Sequence, residues 1–129
     1  MEITRKLAYI TNASLEVRDR GILMFNIWVD YEEGCSQCVG NFALDTYNET
    51  TKEREGTAYG CEMIRQILLE LKVNDFCEMS GKHIWVLGSG KGLGFTPTGI
   101  QALKGTNKDR KAVIFSEVLE MFKERSYGV

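Results

Sequence analysis

Hydrophobic and polar residues alternate most clearly over ILMFNIWVDY, residues 22–31, where Leu23, Phe25, Ile27, Val29 and Tyr31 are interleaved with Met24, Asn26, Trp28 and Asp30. A period of two marks a strand. Large apolar groups fall on both sets, so this strand is expected to have neighbours on each side and partial cover on both faces. ITRKLAYITNASLEV (3–17) reads as a preceding strand with more polar content, and RDRG (18–21) as the turn between them. After a second turn, EEGCS, the stretch QCVGNFALDTY (37–47) reads as a third strand, loosened by Gly40. NETTKEREG (48–56) reads as a polar loop.

The period then changes. Met63, Ile64, Ile67, Leu68 and Leu71 recur at the spacing of one helical face within TAYGCEMIRQILLELK, with Thr57 placed to cap the first turn. VNDFCEMSG closes that helix with a compact turn. KHIWVLG and FTPTGIQALKG read as two further strands. A last helix is expected over about 110–125, with Ile114, Phe115, Val118, Leu119 and Phe122 as its buried stripe. These elements predict a single α+β domain over residues 1–129: an antiparallel sheet of about five strands packed with two α-helices.

Composition narrows the function classes. The chain of 129 residues is 43% hydrophobic and 26% charged, ordinary for one globular core. A net charge of −2 argues against a long nucleic acid as partner, because such binding leans on excess Lys and Arg. MEITRKLAYI lacks the apolar run of a signal peptide, and CEMIRQILLELKV is interrupted by Glu62, Arg65, Glu70 and Lys72. The expectation is a soluble intracellular protein with no membrane partner and four reduced cysteines.

Five glycines (88, 90, 92, 94 and 99) surround Lys91 in WVLGSGKGLGFTPTG. The dinucleotide fingerprint would need glycine where Leu93 stands, and the P-loop would need Ser or Thr where Gly92 follows the lysine. Both also need a helix next, to supply aligned N–H groups, and FTPTGIQAL reads as a strand. Two readings remain, a hairpin tip or a flap that closes over a ligand.

A clearer electrostatic signal follows. Lys104, Lys108, Arg110 and Lys111 face only Asp109, four cations against one anion, around the expected start of the last helix. Helix starts already carry partial positive charge, so each exposed cation there costs about 0.3–1 kcal/mol. A bound phosphate reverses that cost. The alternative is a solvated basic turn. A weaker echo precedes the first helix, where Lys52 and Arg54 are diluted by Glu53 and Glu55, and Gly56 and Gly60 allow close backbone approach. Tyr47 and Tyr59 are either base-stacking groups or ordinary half-buried tyrosines.

Signals for catalysis are thin. Cys35 and Cys38 make one C-x-x-C pair, whereas a zinc knuckle offers two, so the cysteines read as small buried hydrophobes and no metal or other cofactor is expected. His83 is the only histidine, and no nucleophile motif accompanies it. Asp30 and Asp45 end strands and could pair, although Asp is common there as a turn former. A binder, with no catalytic residue, is expected rather than an enzyme.

DRGILMFNIWVDYEEGCSQCVGNFALD, then GTAYGCEMIRQILLELKVNDFCEMSGKHIWV, then KAVIFSEVLEMFKE together resemble the phage-encoded Thoeris anti-defence sponge family, the first type described. The resemblance spans roughly residues 18–125 and is most specific at RGIL, FALD, GTAYG and VNDFCEMSGK. It implies a protein that binds the cyclic ADP-ribose isomers made by TIR-domain enzymes, holds them uncleaved in the cytoplasm of the infected bacterial host, and assembles as a homodimer or higher homo-oligomer with pockets near subunit contacts. Cyclic oligonucleotides are further implied ligands.

Such a guest carries a diphosphate, a purine and two sugars. On residue chemistry alone, Asn107, Lys108 and Arg110 are the expected phosphate or ribose contacts, Arg54, Gly56 and Thr57 a second cluster, and Tyr59, Trp85 and Phe95 the stacking candidates. Two other classes compete. One is a phosphodiesterase-like enzyme on cyclic nucleotides, against which the single histidine argues. The other is an inhibitor that presents an exposed Trp28 or Met24 face to a host protein.

Overall fold

The computed structural model describes residues 3–18, 20–103 and 112–122. Strands β1 (Thr4–Arg18), β2 (Ile22–Tyr31) and β3 (Ser36–Ala43) form a meander. A small hairpin follows, β4 (Asp45–Asn48) and β5 (Glu53–Gly56). Helix α1 (Ala58–Leu71) and a short 3-10 turn (Phe76–Met79) lead to β6 (His83–Ser89), β7 (Thr96–Ala102), β8 (Val113–Ile114) and helix α2 (Phe115–Phe122). The main sheet has six strands in the order β3-β2-β1-β6-β7-β8, every neighbouring pair antiparallel, and β4–β5 make a separate two-stranded sheet. The expected α+β architecture is present, with more strands than the pattern suggested.

The alternation in β2 divides the sheet into two faces. Phe25, Ile27, Val29 and Tyr31 are buried, joined by Ala8 and Ile10 of β1, Val39 of β3, Ile84 and Val86 of β6 and Ile100 of β7. Met63, Ile67 and Leu71 of α1 and Phe115 and Val118 of α2 cover this face. Among the described residues the other face carries no helix, and it exposes Tyr9, Trp28 and Asp30. Met24, expected beside Trp28 as part of an exposed face, is buried, as is Asn26. β2 is thus covered on both faces only at its first half.

Local chemistry sets the boundaries. Thr57 caps α1, as its position predicts, and Lys72 ends it in the left-handed conformation (φ 55°), donating its N–H to Leu68 and Leu69 carbonyls. At β3, Gly40 has φ +99°, and a Cβ there would stand 2.5 Å from the Phe25 ring. Only glycine fits, and the β2–β3 register slips at this place.

Four expectations are corrected. The third strand breaks at the fully buried Leu44, so 37–47 is not one strand. The polar loop contains β5, which pairs with β4 from Asp45↔Gly56 to Asn48↔Glu53. The last helix begins at Phe115, because Val113–Ile114 pair with β7; Ile114 is therefore a strand residue, and Leu119 is 42% exposed rather than buried. Cys61 and Cys77 are exposed rather than small buried hydrophobes, while Cys35 packs at the edge of the core.

Candidate functional site

The start of α1 brings Arg54, Gly56, Thr57 and Tyr59 together around the β4–β5 hairpin, but the protein supplies their partners. The Thr57 hydroxyl accepts from Gly60 N–H at 2.9 Å and donates to the Leu44 carbonyl at 2.5 Å. Arg54 grips Asp45 in a fork, Nη2 to Oδ1 at 2.7 Å and Nε to Oδ2 at 3.0 Å, and reaches the Asp45 carbonyl at 3.3 Å. Burial works to raise the Asp45 pKa, but the Arg54 guanidinium and the Leu23 N–H outweigh it and hold the carboxyl below its ordinary range. The same bond makes Arg54 hold its proton more tightly. Tyr59 is half-buried with its hydroxyl 3.5 Å from the Asp45 carbonyl, and Gly56 has open space around it. Asp30 does not pair with Asp45 but accepts from the Ser36 hydroxyl at 2.6 Å.

Neither of the other two stacking candidates is a bare platform. Trp85 lies beneath the Arg5 guanidinium, 4.6 Å from its ring centroid, and Arg5 in turn donates to Gln101. Phe95 is a core residue, 4% exposed, edge-on to Tyr31 at 5.9 Å and with the Lys6 ammonium 4.5 Å from its ring centroid. Its burial leaves no face for a base. Asn107, Lys108 and Arg110 lie outside the described residues.

The glycine run is a hairpin tip between β6 and β7. Gly94 and Phe95 spend their N–H groups inside the turn, on the Lys91 and Gly92 carbonyls. Gly92 and Phe95 border a small cleft of about 90 Å³ with Lys6 and Tyr31. Here Tyr31 donates to Gln37 Oε1 at 2.6 Å, Gln37 donates to the Phe95 carbonyl at 3.1 Å, and Lys6 pairs with Glu33. Burial, with help from the Glu33 charge, pushes the Tyr31 phenol up to about 12.

A larger cavity, about 200 Å³, opens where α1 ends beside the start of β6 and the end of β7. Lys72, Lys82 and His83 line it together with Glu70. Each is placed by backbone structure: Lys72 by the left-handed helix end, Lys82 by its backbone bonds to Met79 and Ile10, His83 as the first residue of β6, and Glu70 by the last turn of α1. The Glu70 carboxylate is buried and accepts the Ala102 N–H at 2.8 Å, closing the end of β7 onto the helix. Two lysines therefore line the cavity together with one carboxylate that already serves the backbone. They also oppose the partial negative charge of the helix C-terminus. His83 packs its ring against Tyr9, with centroids 5.0 Å apart, on the helix-free face of the sheet. The cavity lining and the aromatic surface thus meet at His83. Leu103, which also lines the cavity, is the residue from which the chain enters its basic stretch 104–111.

Sequence reasoning passed over Lys72 and Lys82. The available signal was their position at the two ends of the compact turn VNDFCEMSG, since a turn that short brings its flanks together.

Among the described residues, no three His, Cys, Asp or Glu side chains converge to hold a metal ion, and no helix is long and apolar enough to cross a membrane. Comparison of the chain with protein-family models, with characterised proteins and with solved structures finds no match.

Proposed function

We propose that the protein is a non-catalytic sponge for a nucleotide-derived immune signal, a cyclic ADP-ribose isomer made by TIR-domain enzymes, and that it blocks Thoeris defence by holding the messenger intact in the cytoplasm of an infected bacterium. The resemblance of residues 18–125 to that family suggests the ligand. The observation that carries the reading is the convergence of Lys72, Lys82 and His83 on one cavity, with the Tyr9 ring tilted against that of His83. Ammonium groups there suit a diphosphate, and the neighbouring rings suit a purine.

At about 200 Å³ the cavity takes only part of such a guest, since sites for drug-sized ligands run to roughly 300–1,000 Å³. The remainder of the ligand would lie on the aromatic face or against a second subunit. The cluster at Arg54 is the weaker anchor, because Asp45 already neutralises its guanidinium.

Thermal melting with each cyclic ADP-ribose isomer and with cyclic dinucleotides tests the reading. Ligand at about 100 times its dissociation constant adds about 2.7 kcal/mol, and the ligand released on denaturation should be chemically unchanged. No shift with any of them removes the proposal, and an opened product replaces it with a phosphodiesterase.

A second reading has its own observation. Tyr9 and Trp28 are 42% and 44% exposed on the helix-free face, as a protein-binding inhibitor would require. Capture of a host protein in the absence of any nucleotide would favour that reading.

A further inference from the structure

The cavity between the end of α1 and the start of β6 is lined unevenly with charge. Of the described residues around it, Lys72 and Lys82 are basic and Glu70 alone is acidic. Burial orders the three by depth. Lys72 is exposed, Lys82 half-buried and Glu70 only 5% exposed, beside the buried apolar side chains of Leu71 and Ile84. Cations thus stand towards solvent and the carboxylate stands inside.

That order decides which part of an anionic guest can enter. A phosphate is drawn to ammonium groups. Pushed deeper, it meets a carboxylate where little water screens the repulsion, and two acceptors cannot bond to each other. The group that goes in beside the phosphate must therefore donate hydrogen bonds and carry no negative charge. A carboxylate accepts from about four donors, so its bond to the Ala102 N–H at 2.8 Å does not exhaust it. At about 200 Å³ the cavity is smaller than sites for drug-sized ligands, which run to roughly 300–1,000 Å³. What enters is then the group bonded directly to the phosphate. In a nucleotide that group is the sugar. Its hydroxyls are donors, its ring carbons suit Leu71 and Ile84, and the base hangs from its far side.

We propose that Glu70 makes this cavity selective for a sugar phosphate over a bare phosphate or polyphosphate, with sugar hydroxyls on its carboxylate and the phosphate held by Lys72 and Lys82. The inference rests on the reading of the cavity as a phosphate site and specifies the unit that fills it. Glu70 is thus a specificity residue as well as the clasp on the end of β7. The preference runs against net charge. Pyrophosphate is more anionic than ribose 5-phosphate, so two lysines alone would favour pyrophosphate.

Nuclear magnetic resonance titration of the isotope-labelled whole chain tests it, followed at the Ala102 amide because that N–H is bonded to Glu70. Ribose 5-phosphate should move the signal saturably. It should bind about tenfold or more tightly than inorganic pyrophosphate, and than tetrahydrofurfuryl phosphate, which keeps the ring and the phosphate but has no hydroxyl. Glu70→Gln keeps an oxygen for the Ala102 N–H and removes the charge. It should bring ribose 5-phosphate and pyrophosphate to within about threefold of each other, weakening the first and strengthening the second. A role in folding alone would move both in the same direction.

Pyrophosphate binding as tightly as ribose 5-phosphate in the wild-type chain overturns the proposal, and that comparison needs no variant. So does equal binding of tetrahydrofurfuryl phosphate, a Glu70→Gln chain with the wild-type ratio, or free adenine moving the Ala102 signal where ribose 5-phosphate does not. The sponge reading is judged separately, by melting with the intact messengers. Its failure leaves these ratios standing, and its success beside a preference for pyrophosphate leaves a sponge without this selectivity.

Discussion

The guanidinium of Arg54 closes on the carboxylate of Asp45 through two parallel hydrogen bonds, and the second carboxylate oxygen also accepts the Leu23 N–H at 3.2 Å. One side chain therefore ties the β4–β5 hairpin to the first residues of β2. The Asp45 side chain is 8% exposed and that of Arg54 23%, so this ion pair is shielded more than a surface one.

Asp45→Asn should lower stability by about 1–3 kcal/mol, the cost of leaving the buried partners poorly matched, as read from urea midpoints. Acid should act through the same carboxyl. Its folded pKa lies below the ordinary value near 3.9 found in an unfolded chain, so its stabilisation is complete above about pH 4 and is lost as pH falls through the folded value. Between neutral pH and about pH 3 the wild-type midpoint should fall further than that of Asp45→Asn.

Gly56 and Gly60 should respond oppositely to the same change. A Cβ on Gly60 would stand 2.1 Å from the Leu44 carbonyl and 2.8 Å from the Thr57 hydroxyl, so Gly60→Ala should cost about 1–3 kcal/mol or more as α1 is forced off the strand end. Nothing lies within 4 Å of the corresponding position at Gly56, and Gly56→Ala should stay within about 0.5 kcal/mol of wild type. Equal effects in denaturant melts would contradict this packing.

Alkali should find Tyr31. Its phenol is pushed up to about 12, so a phenolate signal that Tyr31→Phe lacks should appear near that pH in a spectrophotometric titration. Because the folded value exceeds the ordinary value near 10, the protonated phenol stabilises the fold fully below about pH 10 and that contribution disappears as pH rises towards 12. Tyr31→Phe should remove this alkaline loss while costing about 0.5–1.5 kcal/mol at neutral pH through the missing bond to Gln37.

For nucleotide binding, Lys72→Ala and Lys82→Ala should each weaken affinity about tenfold or more, the equivalent of at least about 1.4 kcal/mol for a lost charge-assisted contact. Arg54→Ala should lower the melting temperature more than it lowers affinity, since Asp45 is its partner in the free protein. Calorimetric titration of the three variants separates the cavity from the α1 start as the anchor.

Periodicity located β1, β2, α1 and the β6–β7 hairpin because each buries one face continuously, and the pattern records burial. It did not show the break at Leu44. FALDTY keeps its alternation through the break, and what interrupts the strand is a tertiary demand, since the Leu44 carbonyl must meet Thr57. The β4–β5 pairing was hidden for a related reason: its eight residues bury little but Asp45, so no apolar signal marks them. At the candidate site, residue type identified Arg54 as a cation but not its partner nine positions earlier, and it could not tell that Arg5 would lie over Trp85 or that Phe95 would enter the core. Lys72 and Lys82 meet only because the chain between them turns, a relation of shape rather than of composition.

The hydroxyl of Thr57 stitches the exit of β3 to the entrance of α1, and Asp45 and Gly56 sit side by side as the feet of the hairpin between them. The hairpin is therefore an outgrowth on a closed neck. The turn at residues 49–52, beyond the last pair Asn48↔Glu53, could be exchanged for a foreign loop while Arg54 keeps its hold on Asp45 and the six-stranded body keeps its own seam, which makes this tip the natural grafting point of the molecule.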